Sequence, residues 1–256
     1  MWLCRELISK RDPKAEYAES HIPGARFFDI DAVSDSNSDL PHMAPPVEKF
    51  MSRMRALGVG DGHRVVVYDG AGLFSAARVW WLFRHMGQDN IAVLDGGLPK
   101  WIAEGRPTES TAPVIRDRHM TATRNPALVK DVTQVALASK LNQAEIIDAR
   151  AAERFRGDAP EPRQGLRAGH IPNSKNVPFT TLLNEDKTMK SPLELASIFE
   201  AAGVDLDRPI ITSCGSGVTA AVLSLALEII GHRDHALYDG SWTEWGSYDD
   251  LKVEQG

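Results

Sequence analysis

A cysteine at position 214 stands between a short apolar run, Ile210-Ile211-Thr212, and a long apolar stretch from Val218 to Ile230. The first is the pattern of a buried parallel strand, opened here by Pro209. The second predicts a helix that is apolar along one side, carries Glu228 and is terminated by Gly231. Between them lie Gly215, Ser216 and Gly217, with Val218 and Thr219 opening the helix. A strand-to-helix turn with two glycines and two hydroxyl residues can ring itself with backbone N–H groups. Such a nest at a helix N-terminus binds an anion, and the same partial positive charge turns a thiol into a nucleophilic thiolate. A cysteine can also be a small apolar filler at the end of a core strand. Two glycines directly after it argue otherwise, because they weaken any strand or helix that continues through them. Cys214 is therefore read as a nucleophile, with the amides of Gly215 through Thr219 holding the anion that forms on it.

The attacked atom is expected to be a sulfur rather than a carbonyl carbon, since no histidine base lies in the same segment. The product would be a persulfide on Cys214. A cysteine phosphatase needs an arginine after its loop to clamp phosphate, and that position holds Ala220.

The rest of the chain supplies a frame for this loop. With 256 residues it suits two compact units of about 120 to 130 each. A hydrophobic content of 43% and a charged content of 25% fit an ordinary globular protein, and the formal net charge of −6 argues against a general nucleic-acid surface. No stretch of about 18 uncharged apolar residues exists to span a membrane. The start, MWLCRELISKRD, turns charged too soon for a secretory signal. Two cysteines, Cys4 and Cys214, make no disulfide framework, so a reducing, cytoplasmic setting is expected. No cluster of metal-type ligands suggests a structural zinc site.

The sequence repeats itself. His21-Ile22-Pro23-Gly24 returns as His170-Ile171-Pro172-Asn173. Val65 to Gly70 returns as Ile210 to Gly215, which sets Asp69 against Cys214. Leu94-Asp95-Gly96-Gly97 with Trp101 returns as Tyr238-Asp239-Gly240-Ser241 with Trp245. Three blocks in one order at nearly constant offset mean two copies of one domain. In each copy, strand-like runs alternate with helical ones. Arg64–Asp69 and Ile91–Leu94 read as strands in the first copy, and Glu145–Asp148, Ile210–Ser213 and Ala236–Tyr238 in the second. Ser75–Gly87, Leu98–Glu104, Pro192–Ala202 and Val218–Ile230 read as helices. This pattern gives an α/β fold, each copy a parallel sheet flanked by helices, with the cysteine loop at the carboxyl end of a central strand. The boundaries predicted are residues 1–105, a linker over 106–126, and 127–256. Residues 34–46 form a long polar loop of the kind that serves a site. A carboxylate cannot accept sulfane sulfur, so Asp69 leaves the first copy catalytically inactive. Only 16 residues precede Tyr17, too few for both the helix and the strand that precede Arg150 in the second copy. The first copy is therefore expected to lack an edge element or to begin further upstream.

These motifs resemble tandem rhodanese domains. The loop CGSGVT, together with RFRG at 154–157, EPR at 161–163, GHIPN at 169–173 and YDGSW at 238–242, is similar to the 3-mercaptopyruvate sulfurtransferase family over nearly the whole chain. The resemblance implies that Cys214 takes sulfur from 3-mercaptopyruvate and passes it to a thiol, a thioredoxin-like protein or cyanide, with no cofactor, nucleic-acid or membrane partner. It implies that Arg154 and Arg163 bind the substrate carboxylate, and a turn-rich loop with Pro160, Pro162, Gly165 and Gly169 suits that task. It also implies a Ser216–His42–Asp31 relay that protonates the departing enolate, in a cleft between the domains. On a plainer reading His42 is a solvated loop histidine and Asp31 a helix cap. Arg156 and Arg167 lie close enough to be confused with the binding pair. Thiosulfate rhodaneses resemble this family but carry basic residues after the cysteine, whereas Gly215 and Ser216 are neutral. A non-catalytic persulfide carrier or redox sensor is the alternative from another class. His21 and His170 recur where only one copy has a cysteine, so both are expected to serve structure.

Overall fold

The computed structural model describes residues 2–3 and 11–256, so Cys4 lies outside the described residues. The chain divides into two compact units. One takes in residues up to 38 with 44–125 and 185–188; the other takes in 39–43, 126–184 and 189–256.

In chain order the first unit contains β1 (Trp2–Leu3), α1 (Pro13–Glu19), β2 (Phe27–Phe28), α2 (Ile30–Val33), α3 (Val47–Ala56), β3 (Val65–Val67), α4 (Ala76–His85), β4 (Ile91–Val93) and α5 (Gly97–Ala103). β1 pairs with β2 and β3 with β4, both in parallel. Asp12 caps α1, accepting from the amides of Lys14 and Ala15, and Pro13 fills the first helical position where no amide partner is needed. The predicted core face of α4, Val79, Leu82, Phe83 and Met86, is buried, and so are Trp80, Trp81 and even Arg78, whose guanidinium lies 4.4 Å from the centre of the Trp81 ring. The segment read as a linker is bound to this unit by its main chain. Glu109 and His21 exchange backbone hydrogen bonds, Asp61 donates to the His119 carbonyl, and Thr123 donates to that of Met86.

The second unit contains β5 (Val129–Lys130), α6 (Val132–Leu141), β6 (Glu145–Asp148), α7 (Ala152–Arg156), β7 (Ser174–Asn176), α8 (Pro192–Ala201), β8 (Ile210–Ser213), α9 (Ala220–Ile229), β9 (His235–Tyr238) and α10 (Ser241–Trp245). Its five-stranded parallel sheet runs β5-β9-β8-β6-β7, with β8 in the middle. Ile146 faces Ile211 across one ladder and Ala236 faces it across the other. The residues of β6, β8 and β9 are all buried, as expected of parallel strands covered on both faces. Helix starts are marked in the sequence: capping boxes pair Asp131 with Gln134 at α6 and Ser191 with Glu194 at α8. The helix after the cysteine departs from expectation. Ala220 through Leu227 are all buried, so α9 is covered on every side rather than on one.

The paired histidines behave alike. His21 bonds the Tyr17 carbonyl through Nδ1 at 2.7 Å and stacks on the Tyr17 ring; His170 bonds the Phe155 carbonyl at 2.8 Å and stacks on the Phe155 ring. Trp242 and Trp245 lie in the core of the second unit beside Val135, Ile146 and Ile211. Among the described residues no helix is long and apolar enough to cross a membrane.

On α10, burial pushes the Glu244 carboxyl above the ordinary glutamate range; the Tyr238 hydroxyl pulls it down, and the charges of Asp131 and Asp239 push it up. A carboxyl raised by folding favours the native state while it is protonated and disfavours it once ionised. Glu244→Gln should therefore raise the thermal midpoint near neutral pH. The gain should disappear below about pH 4, where an unfolded glutamate is itself protonated, as a series of melting curves against pH will show.

Candidate active site

Cys214 follows the last residue of β8 and is buried. The turn that carries it is held from one side by the start of α10. The Trp242 amide donates to the Cys214 carbonyl at 2.9 Å, and Thr243 donates to the Gly215 carbonyl through its amide and its hydroxyl, at 2.9 and 2.6 Å. Ser241 Oγ accepts from the amides of Cys214 and Gly217 at 3.2 and 3.1 Å. The ring of amides expected from Gly215 through Thr219 is altered by this contact, because the N–H of Gly217 is directed at Ser241. Gly217 sits at φ +75°, in the left-handed region where a side chain would be strained. Val218 is buried, and Thr219 is the residue before α9, with no side-chain cap of its own.

Ser216 is nearly buried, and its hydroxyl lies 3.0 Å from His42 Nδ1. His42 comes from the polar loop in the first half of the sequence, within the five residues, 39–43, that belong to the second unit. The plainer reading of a solvated histidine does not describe it. Asp31 belongs to the first unit, at the second position of α2. The cap there is Asp29, whose carboxylate accepts from the amides of Asp31 and Ala32.

The two candidate binding arginines differ in their surroundings. Arg154, from α7, reaches Gly215: a Cβ built on that glycine would lie 3.3 Å from Arg154 Nη2. Its guanidinium is oriented by Glu161, with Nη2 to Oε2 at 2.6 Å and Nε to Oε1 at 3.3 Å. Glu161 is shared with Arg150 Nη1 at 2.8 Å, and Arg150 in turn grips Asp148 and the Gly169 carbonyl while stacking over Trp242. Asp148, Arg150 and Glu161 have side chains 3% exposed or less, so this ion-pair chain is held rigidly. Arg163 is half-buried. Burial lowers its pKa, the Cys214 charge raises it, and the neighbouring Arg154 lowers it again. The guanidinium nonetheless stays cationic, as arginine does in proteins, as a partly desolvated charge. Arg156 pairs with Asp158 at the surface, and Arg167 donates to the carbonyls of Trp245, Gly246 and Leu251; both serve structure.

Glu161, Arg150 and Ser241 were not singled out from the sequence. Glu161 lies inside the EPR motif and Ser241 inside YDGSW, and the signal for Ser241 was its alignment with a glycine, Gly97, in the other copy.

The matching loop of the first unit is filled from within. Asp69 is buried; Oδ1 accepts from the Ala71 amide at 2.9 Å, and Oδ2 accepts from Phe74, Ser75 and Ala76 at 2.8 to 2.9 Å. The carboxylate occupies the place where an anion would bind.

A parallel sheet whose central strand ends in a cysteine, cradled by the start of a following helix, defines the class. The chain belongs to the rhodanese-like domain family, whose model matches residues 4–104 and 133–248. It is 49% identical over 244 residues to the 3-mercaptopyruvate sulfurtransferase of Escherichia coli K12, which covers 95% of this chain and 86% of that protein. It is 42% identical over 237 residues to the human 3-mercaptopyruvate sulfurtransferase, covering 92% of this chain and 80% of that one. The bovine thiosulfate sulfurtransferase is also 42% identical, over 238 residues, with the same coverage. The crystal structure of the Escherichia coli 3-mercaptopyruvate enzyme superposes with a TM-score of 0.84 at 46% identity, covering 92% of this chain and 88% of that one.

Replacing Asp69 by alanine removes the acceptor of four backbone amides, those of Ala71, Phe74, Ser75 and Ala76. Asp69→Ala should lower the free energy of unfolding by about 2–4 kcal/mol, measured by urea denaturation.

Proposed function

We propose that this chain is a 3-mercaptopyruvate sulfurtransferase. The observation that carries the reading is the placement of the Arg154 guanidinium against Gly215, beside the buried Cys214 at the carboxyl end of β8. A donor with a carboxylate two carbons from its sulfur can then be held by arginine while its sulfur meets the thiolate. The neutral Gly215 and Ser216 that follow the cysteine suit a donor with a single carboxylate better than the dianion thiosulfate.

In the first half-reaction the Cys214 thiolate attacks the sulfur of 3-mercaptopyruvate. A sulfur–sulfur bond forms, the carbon–sulfur bond breaks, and its electron pair becomes the enolate of pyruvate. Arg154 and Arg163 hold the carboxylate through this step. Ser216, hydrogen-bonded to His42, gives the enolate its proton and is resupplied through the histidine. Asp31 enters as third member of this relay on the strength of the resemblance. The amides of Gly215, Val218 and Thr219 face the persulfide anion, and Gly217 provides the turn. In the second half-reaction a thiolate, on a small molecule or a thioredoxin-like protein, or cyanide in an assay, attacks the outer sulfur and restores the Cys214 thiolate. The scheme is ping-pong with a covalent intermediate. It uses no metal or organic cofactor and no nucleic-acid or membrane partner. A chain with only two cysteines fits the cytoplasmic setting that belongs to this reading.

The deciding measurement is steady-state sulfur transfer to cyanide with 3-mercaptopyruvate and with thiosulfate side by side. A preference for 3-mercaptopyruvate of at least about tenfold in kcat/KM, abolished in Cys214→Ser, supports the reading. Preference for thiosulfate overturns the choice of donor, and turnover with neither moves the assignment to a persulfide carrier. Arg154→Lys keeps the charge and loses the fork. It should reduce kcat/KM for 3-mercaptopyruvate by about ten- to a hundredfold, or about 1.4–2.7 kcal/mol.

A further inference from the structure

Ser241 occupies a conformation that its side chain disfavours. Its φ is +50°, in the left-handed region, and it is fully buried. Non-glycine residues held there cluster at sites where the conformation is needed. The other copy of the domain gives the comparison. Gly97 aligns with Ser241, adopts φ +55°, and likewise precedes a residue whose amide donates to the carbonyl at the nucleophile position: Leu98 to Asp69 at 3.0 Å, against Trp242 to Cys214 at 2.9 Å. At Gly97 a Cβ would lie 2.4 Å from the Gly72 carbonyl oxygen and 2.6 Å from that of Asp69. The inactive copy thus packs its loop onto a bare glycine. The cysteine-bearing copy makes room for a hydroxyl at the same place and keeps a serine where glycine would be unstrained.

That hydroxyl is fully used. It donates to the Tyr238 carbonyl at 2.8 Å and accepts from both Cys214 and Gly217 amides, which exhausts one donor and two acceptor sites. A single atom therefore ties both ends of the four-residue turn 214–217, and it lies 4.0 Å from Cys214 Sγ. With the Cys214 and Gly217 amides committed, the remaining loop amides keep a fixed curvature around the sulfur. The Asp69 carboxylate does the corresponding work in the other copy by binding the amides itself.

We infer that Ser241 is a positioning residue for Cys214, setting the curvature of the loop that holds the thiolate and the persulfide. The inference rests on the sulfurtransferase reading for its catalytic consequence, but the reactivity of Cys214 can be measured without any sulfur donor.

The test uses Ser241→Gly, Ser241→Ala and Ser241→Thr in the full chain, with three readouts: thermal midpoint, alkylation of the peptide bearing Cys214 by iodoacetamide across pH, and kcat and KM with 3-mercaptopyruvate. Ser241→Gly relieves the left-handed φ but leaves the Cys214 and Gly217 amides without this acceptor, so it should melt above Ser241→Ala, which loses the same hydroxyl without that relief. Alkylation of the glycine variant near pH 7 should nonetheless fall about tenfold, the gap closing near pH 10 where any thiol is ionised. Its kcat should fall about tenfold while KM stays within about twofold. Ser241→Ala should match the glycine variant in reactivity and melt lower, and Ser241→Thr should keep much of the reactivity while melting lower still, because a branched side chain is worst at this φ. Reactivity would then follow the hydroxyl and stability the backbone, in different orders. A folded Ser241→Gly variant with wild-type alkylation and kcat overturns the inference, as does reactivity that merely tracks the melting temperature through the series. Normal alkylation of the wild type without turnover of 3-mercaptopyruvate would sink the sulfurtransferase reading, and alkylation alone would then decide the role of Ser241.

Discussion

A tight turn from a parallel strand into a helix leaves several backbone amides converging on one point with no intrahelical acceptor. Something must accept from them, and in this chain the answer differs between its two copies. Beyond β3 the acceptor is the Asp69 carboxylate, taking four amides onto two oxygens. Beyond β8 no carboxylate is present. Ser241 takes two amides, the start of α10 ties down the carbonyls of Cys214 and Gly215, and the sulfur sits in the concavity that remains. One copy fills its nest with the Asp69 carboxylate; the other leaves it lined by Cys214.

The charges around the second nest depend on a chain of contacts that begins in the sheet. Asp148, the last residue of β6, fixes Arg150; Arg150 and Arg154 share Glu161; and Arg154 is thereby turned toward Gly215. Buried ion pairs of this kind contribute little net stability, because desolvation offsets much of their attraction. Their effect is geometric. A long, flexible arginine is held in one orientation at the one glycine whose missing Cβ leaves space for it.

Much of this was legible in the sequence because it is written locally or repeated. The strands read at 145–148 and 210–213 have the bounds observed for β6 and β8, each built on a pair of isoleucines that a strand covered on both faces buries without alternation. The repeat set the two copies in register and placed Asp69 against Cys214. Other features were hidden for physical reasons. The helix α9 looked one-sided because its last turn carries Glu228, although the sheet and its neighbours cover it all round. Residues 106–125 have no apolar period, yet they bind the first unit through main-chain groups, which any sequence supplies. The contact of His42 with Ser216 joins residues 174 positions apart, so only the family resemblance brought them together. Glu161 and Ser241 bond other residues, Arg154 and the amides of Cys214 and Gly217, and local chemistry gives such residues no signature.

The five residues at 39–43 that fold with the second unit change what the duplication means for the history of the chain. A repeated domain begins as two interchangeable modules, either of which can be lost. Once a loop of one copy completes the other, the copies cease to be spare parts. Residues 126–256 cut away as a separate gene would keep the thiol and lose the histidine that sits on Ser216. The first copy thereby lends a segment to the unit that holds the cysteine, and the two copies are no longer separable without loss of that contact.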